Sequence, residues 1–179
     1  DKRNVSDIRK LVGLVFQDAD SQLFSPTVLD DVMFGPLNLG LSSEEAKRRA
    51  EWALGVVGIT ETRKIPHYLS GGQKRLVAIA GILAMDPRIL VADEPTGDLD
   101  PSNSHRVEEV LRSLKDEHGI SVVLALHDMD MAARLADRVC VVKGGSIVAE
   151  GRPEDILYDE KLLSSVGLEM PTVAKLFKE

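Results

Sequence analysis

Two short segments made almost entirely of apolar residues, 89–92 and 120–126, constrain the fold of this chain most strongly. Strands that are apolar at every position are typically buried on both faces, as in parallel sheets. Between them, residues 102–118 carry apolar side chains at helical spacing, and a helix that joins two such strands forms a crossover connection. The sequence therefore predicts an α/β fold with a parallel sheet covered by helices. A third buried strand is predicted for residues 9–16.

The stretch after this first strand is rich in turn signals and contains one helix-capping pattern. Ser25-Pro26 and Gly35-Pro36 indicate loops. Ser42 and Glu45 have the spacing of a capping box, which predicts the start of a helix, and Gly58 predicts its end. The stretch is therefore interpreted as mainly helical.

The order of the predicted elements divides the chain into a core, an insert and a tail. Residues 18–68 interrupt the alternation of strands and helices, so we interpret them as a helical subdomain. This insert separates the two parts of a RecA-like α/β core, residues 1–17 and 69–151. Residues 152–179 are interpreted as a short C-terminal extension.

Composition excludes several classes of protein. The net charge of −7 argues against a protein that holds nucleic acid by bulk electrostatics. The one cysteine, Cys140, rules out an internal disulfide, is expected to be buried, and fits a reducing compartment. No apolar run reaches the roughly 18–20 residues that a membrane-spanning helix needs, so membrane association is expected to require a partner.

The segment from Ser70 to Gln73 predicts an anion-binding site. Ser70 precedes two adjacent glycines, Gly71 and Gly72, at the start of a predicted helix. The first N–H groups of a helix lack partners within it and lie at the positive end of its dipole. Glycine allows a phosphate to approach the backbone closely. Taken alone, the pattern also fits an ordinary serine-capped helix.

Two acidic residues, Asp93 and Glu94, follow the apolar strand 89–92, with Pro95 after them. Ligand sites of α/β proteins lie at the carboxyl ends of the strands. Asp93 is expected to hold Mg²⁺, mainly through water, and Glu94 is expected to polarise an attacking water molecule. An isolated acidic pair at such a position is also typical of a solvated turn.

Two further polar residues follow predicted strands. His127 comes directly after the strand 120–126, and Gln17 comes directly after the strand 9–16. A single histidine at a strand end is more often structural than catalytic, and Gln17 by itself indicates no chemistry. Their significance depends on the order in which all these motifs occur along one chain.

That order resembles the ATP-binding cassette (ABC) ATPase family, from the first strand to about Gly151. The segment Leu69 to Gln73, LSGGQ, matches the signature motif of the family. The resemblance implies ATP and Mg²⁺ as cofactors and gives the other matching residues their expected roles. These are Gln17 (Q-loop, ATP and Mg²⁺), Asp93 (Walker B, Mg²⁺), Glu94 (catalytic glutamate), Asp100 in the D-loop 97–100 (ATP), and His127 (switch histidine, catalytic).

Loop sequences suggest a subtype within the family. Segments 22–28, 34–41 and 166–171 resemble the ATPases of cobalt/nickel importers and of energy-coupling-factor vitamin importers. The resemblance implies a dimer of ATPase subunits, identical or not, in which Ser70, Gly71, Gly72 and Gln73 bind the ATP of the opposite subunit. It also implies a transmembrane partner that docks on residues 18–68, a location at the cytoplasmic face of the membrane, and no nucleic-acid partner.

One family motif is not found in this sequence. No G-x-x-x-x-G-K-[S/T] run occurs in the 179 residues. The family carries this Walker A loop before the Q-loop glutamine, so the resemblance places it upstream of Asp1. The aromatic residue that stacks on adenine is expected there too. The polypeptide as given is therefore expected to be inactive by itself.

Three alternatives remain open at the level of sequence. An ABC ATPase of the chromosome and repair type would carry a long coiled coil between the Q-loop and the signature, whereas only about fifty residues without sustained heptads separate Gln17 from Ser70. A translation-factor member would carry two cassettes, and only part of one is visible here. A third alternative is a catalytically silent remnant with a binding or regulatory role.

Overall fold

The parallel sheet predicted from the apolar segments is present in a computed structural model of the chain. The model describes the backbone of residues 5–176 and the side chains of residues 8–175. Within this range the sheet has three parallel strands in the order β1-β2-β3. Their bounds are Val12–Val15 for β1, Ile89–Asp93 for β2 and Ser121–Ala125 for β3.

Helices make up most of the remaining described residues. In chain order they are α1 (Val5–Leu11), α2 (Val28–Asn38), α3 (Ser43–Val56), α4 (Gly71–Leu83), α5 (Pro101–Asp116), α6 (Met129–Leu135), α7 (Pro153–Ile156), α8 (Glu160–Val166) and α9 (Thr172–Leu176). Two antiparallel strands, β4 (Val139–Lys143) and β5 (Ser146–Gly151), form a separate hairpin. Single 3-10 turns lie at Asp20–Gln22 and Pro66–Tyr68.

The chain divides into two compact units, Asp1–Ala125 and Leu126–Glu179. The first contains β1–β3 and α1–α5, and the second contains the β4–β5 hairpin and α6–α9. The assignment of residues 18–68 to an insert and of 152–179 to an extension stays a prediction. Parts of the predicted core and extension, residues 1–4 and 177–179, lie outside the described residues.

Helix α4 is the central helix of the first unit and packs close to β1. A Cβ atom placed on Gly13 would lie only 2.0 Å from Cγ2 of Ile82, so glycine is needed for the helix to approach the strand this closely. The buried face of α4 includes Leu76, Ile79 and Leu83, each at most 1% exposed. This packing fixes the start of α4 relative to the strand ends.

The three strands are not buried equally on both faces. Val15, Leu90 and Ala92 are completely buried, whereas Leu14 is 41% and Val123 is 53% exposed. The exposed side chains alternate with the buried ones, as the two-residue period of a strand requires. The prediction of strands buried on both faces is therefore wrong for β1 and β3, whereas in β2 the side chains of Ile89 and Val91 on the second face are half-buried.

Two predicted segments near the start of the chain are wrong. Residues 9–11 end α1, so the first strand begins at Val12. The loop predicted around Gly35-Pro36 is instead the second half of α2, with Pro36 buried inside it. Thr27 caps this helix by accepting a hydrogen bond from the Asp30 N–H at 3.2 Å. Here the cap and the buried face of the helix outweigh local turn propensity.

Helix α3 begins and ends where the sequence predicted. The Ser42 hydroxyl accepts a hydrogen bond from the Glu45 N–H at 3.2 Å, and Gly58 follows the helix with a φ of 69°. The reciprocal half of the predicted capping box is not present, because the Glu45 carboxylate pairs with Arg48 and Arg49. One correct cap was sufficient to locate the helix.

In the second unit, the β4–β5 hairpin turns at Gly144 and Gly145, both of which have positive φ. Cys140 on β4 is exposed, so the prediction that it is buried is wrong. Both Thr172 N and Thr172 Oγ1 donate to the Asp130 carboxylate at 2.6 Å, which links the tail to α6.

Among the residues that the structure describes, no helix has the length and apolar character needed to cross a bilayer.

Candidate nucleotide site

The predicted signature segment forms the capped start of α4. The Ser70 hydroxyl accepts from the Gln73 N–H at 3.3 Å, and the Gln73 side-chain oxygen accepts from the Ser70 N–H at 3.0 Å. This reciprocal capping box satisfies two backbone donors at the helix end. Ser70 and Gly71 are exposed, so the helix start is accessible from solvent.

The two glycines of the signature pack against the segment that contains the predicted D-loop. A Cβ atom on Gly72 would lie 2.3 Å from the Asn103 side chain, and one on Gly71 would lie 3.6 Å from Leu99. Gly72 is buried, and the Asn103 amide occupies the space that a side chain would need. The signature and residues 99–103 therefore fit together only if position 72 is glycine.

Asp100 has a clear structural role as the N-cap of α5. Its carboxylate accepts hydrogen bonds from the backbone N–H groups of Ser102 and Asn103 at 3.0 and 3.1 Å. Hydrogen bonds from the Asn103 backbone and side chain hold the pKa of the Asp100 carboxyl below its usual value. A role in binding ATP stays a prediction for this residue.

Asp93 and Glu94 lie at the carboxyl end of β2, at the middle of the sheet. Asp93 is the last residue of the strand and pairs with Ala125, and the Glu94 N–H donates to the Ala125 carbonyl at 3.0 Å. Glu94 has a φ of 45°, in the left-handed region that non-glycine residues rarely adopt. A tight turn follows, in which the Gly97 N–H donates to the Glu94 carbonyl at 3.0 Å. Such strained conformations cluster at functional sites.

Gln17 lies close to this turn. A Cβ atom on Gly97 would lie 3.5 Å from the Glu94 Cβ and 3.9 Å from the Gln17 Nε2. Gln17 and Asp93 are exposed and Glu94 is half-buried, so the three polar side chains are open to a ligand. The structure thus brings together Gln17 and Glu94, which the sequence separates by 77 positions (94 − 17).

His127 belongs to the second unit, two residues after the end of β3. It is exposed and precedes Asp128, whose carboxylate caps α6 by accepting from the Met131 N–H at 3.0 Å. His127 therefore lies near the end of a strand, as the sequence predicted. Its catalytic role stays a prediction.

Sequence reasoning missed two residues of this region, Arg75 and Asn103. Arg75 is only 4% exposed, and it donates hydrogen bonds to the backbone carbonyls of Phe16 and Gln17. Its spacing with Ile79 and Leu83, which are buried, could have indicated a buried position on α4. No sequence signal points to Asn103, because its contact with Gly72 depends on how two helices meet.

Comparisons with known proteins identify the family of this chain. A family model described as ABC transporter matches residues 1–97. The energy-coupling factor transporter ATP-binding protein EcfA1 of Methanospirillum hungatei is 47% identical over 176 residues, which is 98% of this chain and 64% of the relative. The chain spans only 55% of another curated relative, from Methanosarcina acetivorans.

Two solved structures share the fold. The structure of cbiO1 from Clostridium perfringens, part of the ABC transporter complex cbiONQ, has a TM-score of 0.83 and 37% identity and covers 100% of this chain and 72% of that one. The dimeric post-hydrolysis structure of the ATP-binding cassette MJ0796, bound to ADP and Pi, has a TM-score of 0.72 and 31% identity, with 86% and 68% of the two chains covered. The chain therefore belongs to the ABC transporter family of ATP-binding proteins.

Proposed function

We propose that this chain is the greater part of the ATPase subunit of an ABC importer and that it couples ATP hydrolysis to the uptake of cobalt or nickel ions or of a vitamin. The observation that carries the proposal is the convergence of Gln17, Glu94 and Gly97 at the end of a parallel sheet. The names of the relatives, an energy-coupling factor protein and a part of the cbiONQ complex, support the class of transporter.

The residues at the sheet edge suit a magnesium–nucleotide complex. Asp93 and Gln17 offer a carboxylate and an amide oxygen, which are hard ligands of the kind that Mg²⁺ prefers. Within residues 8–175 no group of three or more His, Cys, Asp or Glu side chains could hold a metal ion by itself. In this proposal Mg²⁺ is bound mainly by water and nucleotide phosphates, with few protein ligands. The bound ion would neutralise charge on the phosphates.

Glu94 is the general base in this proposal. It is half-buried and held by the Ala125 carbonyl and the Gly97 N–H, so its carboxylate is carried on a rigid turn. A carboxylate in this position can orient a water molecule for attack on a phosphoryl group and accept its proton. His127 is proposed to contact the γ-phosphate, and Asp100 to contribute to the nucleotide site from the D-loop.

The signature segment is proposed to act on the nucleotide of a second ATPase subunit. Ser70 and Gly71 are exposed at the start of a 13-residue helix, where the dipole favours a negative charge. Two subunits would then enclose ATP between the signature of one and the sheet edge of the other. The dimeric structure of the ATP-binding cassette MJ0796 bound to ADP and Pi supports a dimer that holds nucleotide.

A groove of about 580 Å³ in the first unit is proposed as the docking site for the transmembrane partner. It lies between α2 and α4 and is mostly apolar, with Phe24 65% and Phe34 48% exposed. Their rings contact edge to face at a centroid distance of 4.8 Å. Exposed apolar surface of this kind usually marks an interface. Other lining residues are Leu39, Val77, Ile82 and Met85.

Asp31 lines this groove as a buried carboxylate. It is 8% exposed, and its Oδ1 accepts from the N–H groups of Phe24 and Ser25 at 3.1 and 3.0 Å. Its Oδ2 is buried without a hydrogen-bond partner among the described residues. The Asp31 carboxylate therefore holds the backbone of Phe24, one of the exposed aromatic residues of the groove, in place.

We expect Phe24→Glu or Leu39→Glu to release the full-length subunit from its membrane complex while the subunit itself stays folded. Each substitution puts a charge into the apolar groove, and desolvating it on docking is unfavourable. Co-purification with the membrane partner measures the effect. Trp52→Glu is the control, because Trp52 is also exposed (46%) but does not line the groove. Stoichiometric co-purification of both groove variants would show that docking occurs elsewhere.

The activity itself is tested by comparing two polypeptides. The full-length protein encoded by the gene should show Mg²⁺-dependent ATP hydrolysis. The polypeptide of these 179 residues, which contains no G-x-x-x-x-G-K-[S/T] run, should hydrolyse ATP negligibly. Phosphate release measures both. A full-length protein without turnover, alone and with its membrane partner, contradicts the proposed function, and full turnover by the shorter polypeptide contradicts the need for the missing motif.

A further inference from the structure

Three consecutive side chains at the start of α4 reach back to the residues around it. Gln73 donates from Nε2 to the Glu61 carboxylate at 3.1 Å, and Lys74 pairs with Asp20 at 2.5 Å. Arg75 donates to the carbonyl oxygen of Phe16 at 2.5 Å and to that of Gln17. Lys74 and Arg75 therefore tie the start of α4 to the segment that follows β1, and Arg75 is the most buried of the three side chains.

Arg75 is unusual because its guanidinium is buried with few partners. It is 4% exposed, and its Nε has no hydrogen-bond partner among the residues described. Burial lowers the pKa of the Arg75 guanidinium, while the nearby carboxylates of Asp18 and Asp98 oppose this shift. A buried charge is weak support for stability, since apolar side chains of similar volume often serve as well. The geometry of its hydrogen bonds offers a better explanation.

The two acceptors of Arg75 are consecutive carbonyls on either side of the Gln17 Cα, the first of them in the Phe16–Gln17 peptide. The planar guanidinium has two NH₂ groups at fixed spacing, which lysine lacks, so arginine can hold both carbonyls at once. Gln17 lies next to the Glu94–Gly97 turn, so the orientation of this peptide determines where the Gln17 side chain reaches. A displacement of either α4 or the Phe16–Gln17 peptide would be transmitted through this fork.

We infer that Arg75 is a positioning residue for Gln17, and that its guanidinium couples the signature helix α4 to the metal and nucleotide edge of the sheet within one subunit. The inference rests on the proposed function for its effect on hydrolysis. Its structural part, the restraint of residues 16–18 by α4, does not depend on that function. It follows that the position of the Gln17 side chain and the orientation of α4 change together.

The test compares Arg75→Met and Arg75→Lys with wild type in the full-length protein. For Arg75→Met we expect kcat to fall about tenfold or more, while the KM for ATP changes by less than about threefold. The reason is that the substitution disturbs the orientation of Gln17 in the transition state but leaves the binding of ATP in the ground state intact. Arg75→Lys should recover only part of the loss. In the absence of nucleotide, amide hydrogen exchange at residues 16–18 should become about tenfold faster in Arg75→Met, since a local restraint is removed.

Arg106→Met is the matched control. Arg106 also donates to two consecutive carbonyls, those of Val57 and Gly58, but at the end of α3. The Arg106→Met variant should leave kcat, KM and hydrogen exchange at residues 16–18 unchanged. If Arg75→Met does not fold, the same measurements of kcat, KM and hydrogen exchange are made on Arg75→Lys and compared with wild type.

Wild-type exchange at residues 16–18 in a folded Arg75 variant would overturn the inference whatever its activity. Unchanged kcat together with faster exchange would overturn the coupling to hydrolysis. If the wild-type full-length protein shows no ATP hydrolysis, the proposed function fails. The exchange measurement then decides the role of Arg75 alone.

Discussion

Replacing Glu94 by Gln in the full-length protein is expected to lower ATP turnover by about 10²–10⁴-fold, the usual effect of losing a general base. Glutamine keeps the size of the side chain and removes its charge and its ability to accept a proton. It also leaves the backbone strain at φ 45° as it is, because glutamine and glutamate have similar backbone preferences. The effect should therefore be on catalysis and not on folding.

ATP binding should survive this substitution, so an ATP-bound dimer should accumulate. Steady-state phosphate release measures turnover, and retention of labelled ATP on a size-exclusion column measures the trapped complex. Asp86→Asn is the control, because it makes the same change of carboxylate to amide at another residue with positive φ, 59°, beyond the end of α4. Wild-type turnover in Glu94→Gln would mean that another group is the base.

Ser70→Arg is expected to abolish dimerisation driven by ATP, because the bulky, charged side chain would occupy the exposed start of α4. The substitution also removes the hydrogen bond that the Ser70 hydroxyl accepts from Gln73, which should cost about 0.5–2 kcal/mol of folding free energy. That cost is too small to unfold a typical domain. Light scattering with ATP in the Glu94→Gln background, where the dimer should be long-lived, measures the association.

Ser42→Arg is the control that separates the two effects of Ser70→Arg, the loss of a helix cap and the loss of dimerisation. Ser42 caps α3 in the same way, accepting from the Glu45 N–H at 3.2 Å, but it does not belong to the signature. Both variants should lose similar stability in thermal unfolding, whereas only Ser70→Arg should fail to dimerise. Normal dimers of Ser70→Arg would contradict the proposal that the signature completes the site of the opposite subunit.

The caps and strands of this fold were predictable because their causes are local. A serine hydroxyl at the N-cap accepts a hydrogen bond from an N–H three residues later, and this local preference located α3 at Ser42 and α4 at Ser70. Continuous apolar segments located β2 and β3. Local signals misled at Gly35-Pro36, because the packing of α2 against α3 and α4 stabilises a helix that the dipeptide alone disfavours.

The candidate site was predictable as a set of motifs but not as an arrangement. The sequence by itself determined that Gln17 and Asp93 lie near the carboxyl ends of strands and that Ser70 begins a helix. It also determined that the family's motifs from the Q-loop onward occur in order. Which of these residues meet was decided by the tertiary structure, through the parallel register of β1 with β2 and the close approach of α4 at Gly13. Apolar spacing indicates which side chains are buried, but which of them meet depends on how the elements pack. For this reason the buried fork of Arg75 and the fit of Asn103 against Gly72 became visible only in the folded chain.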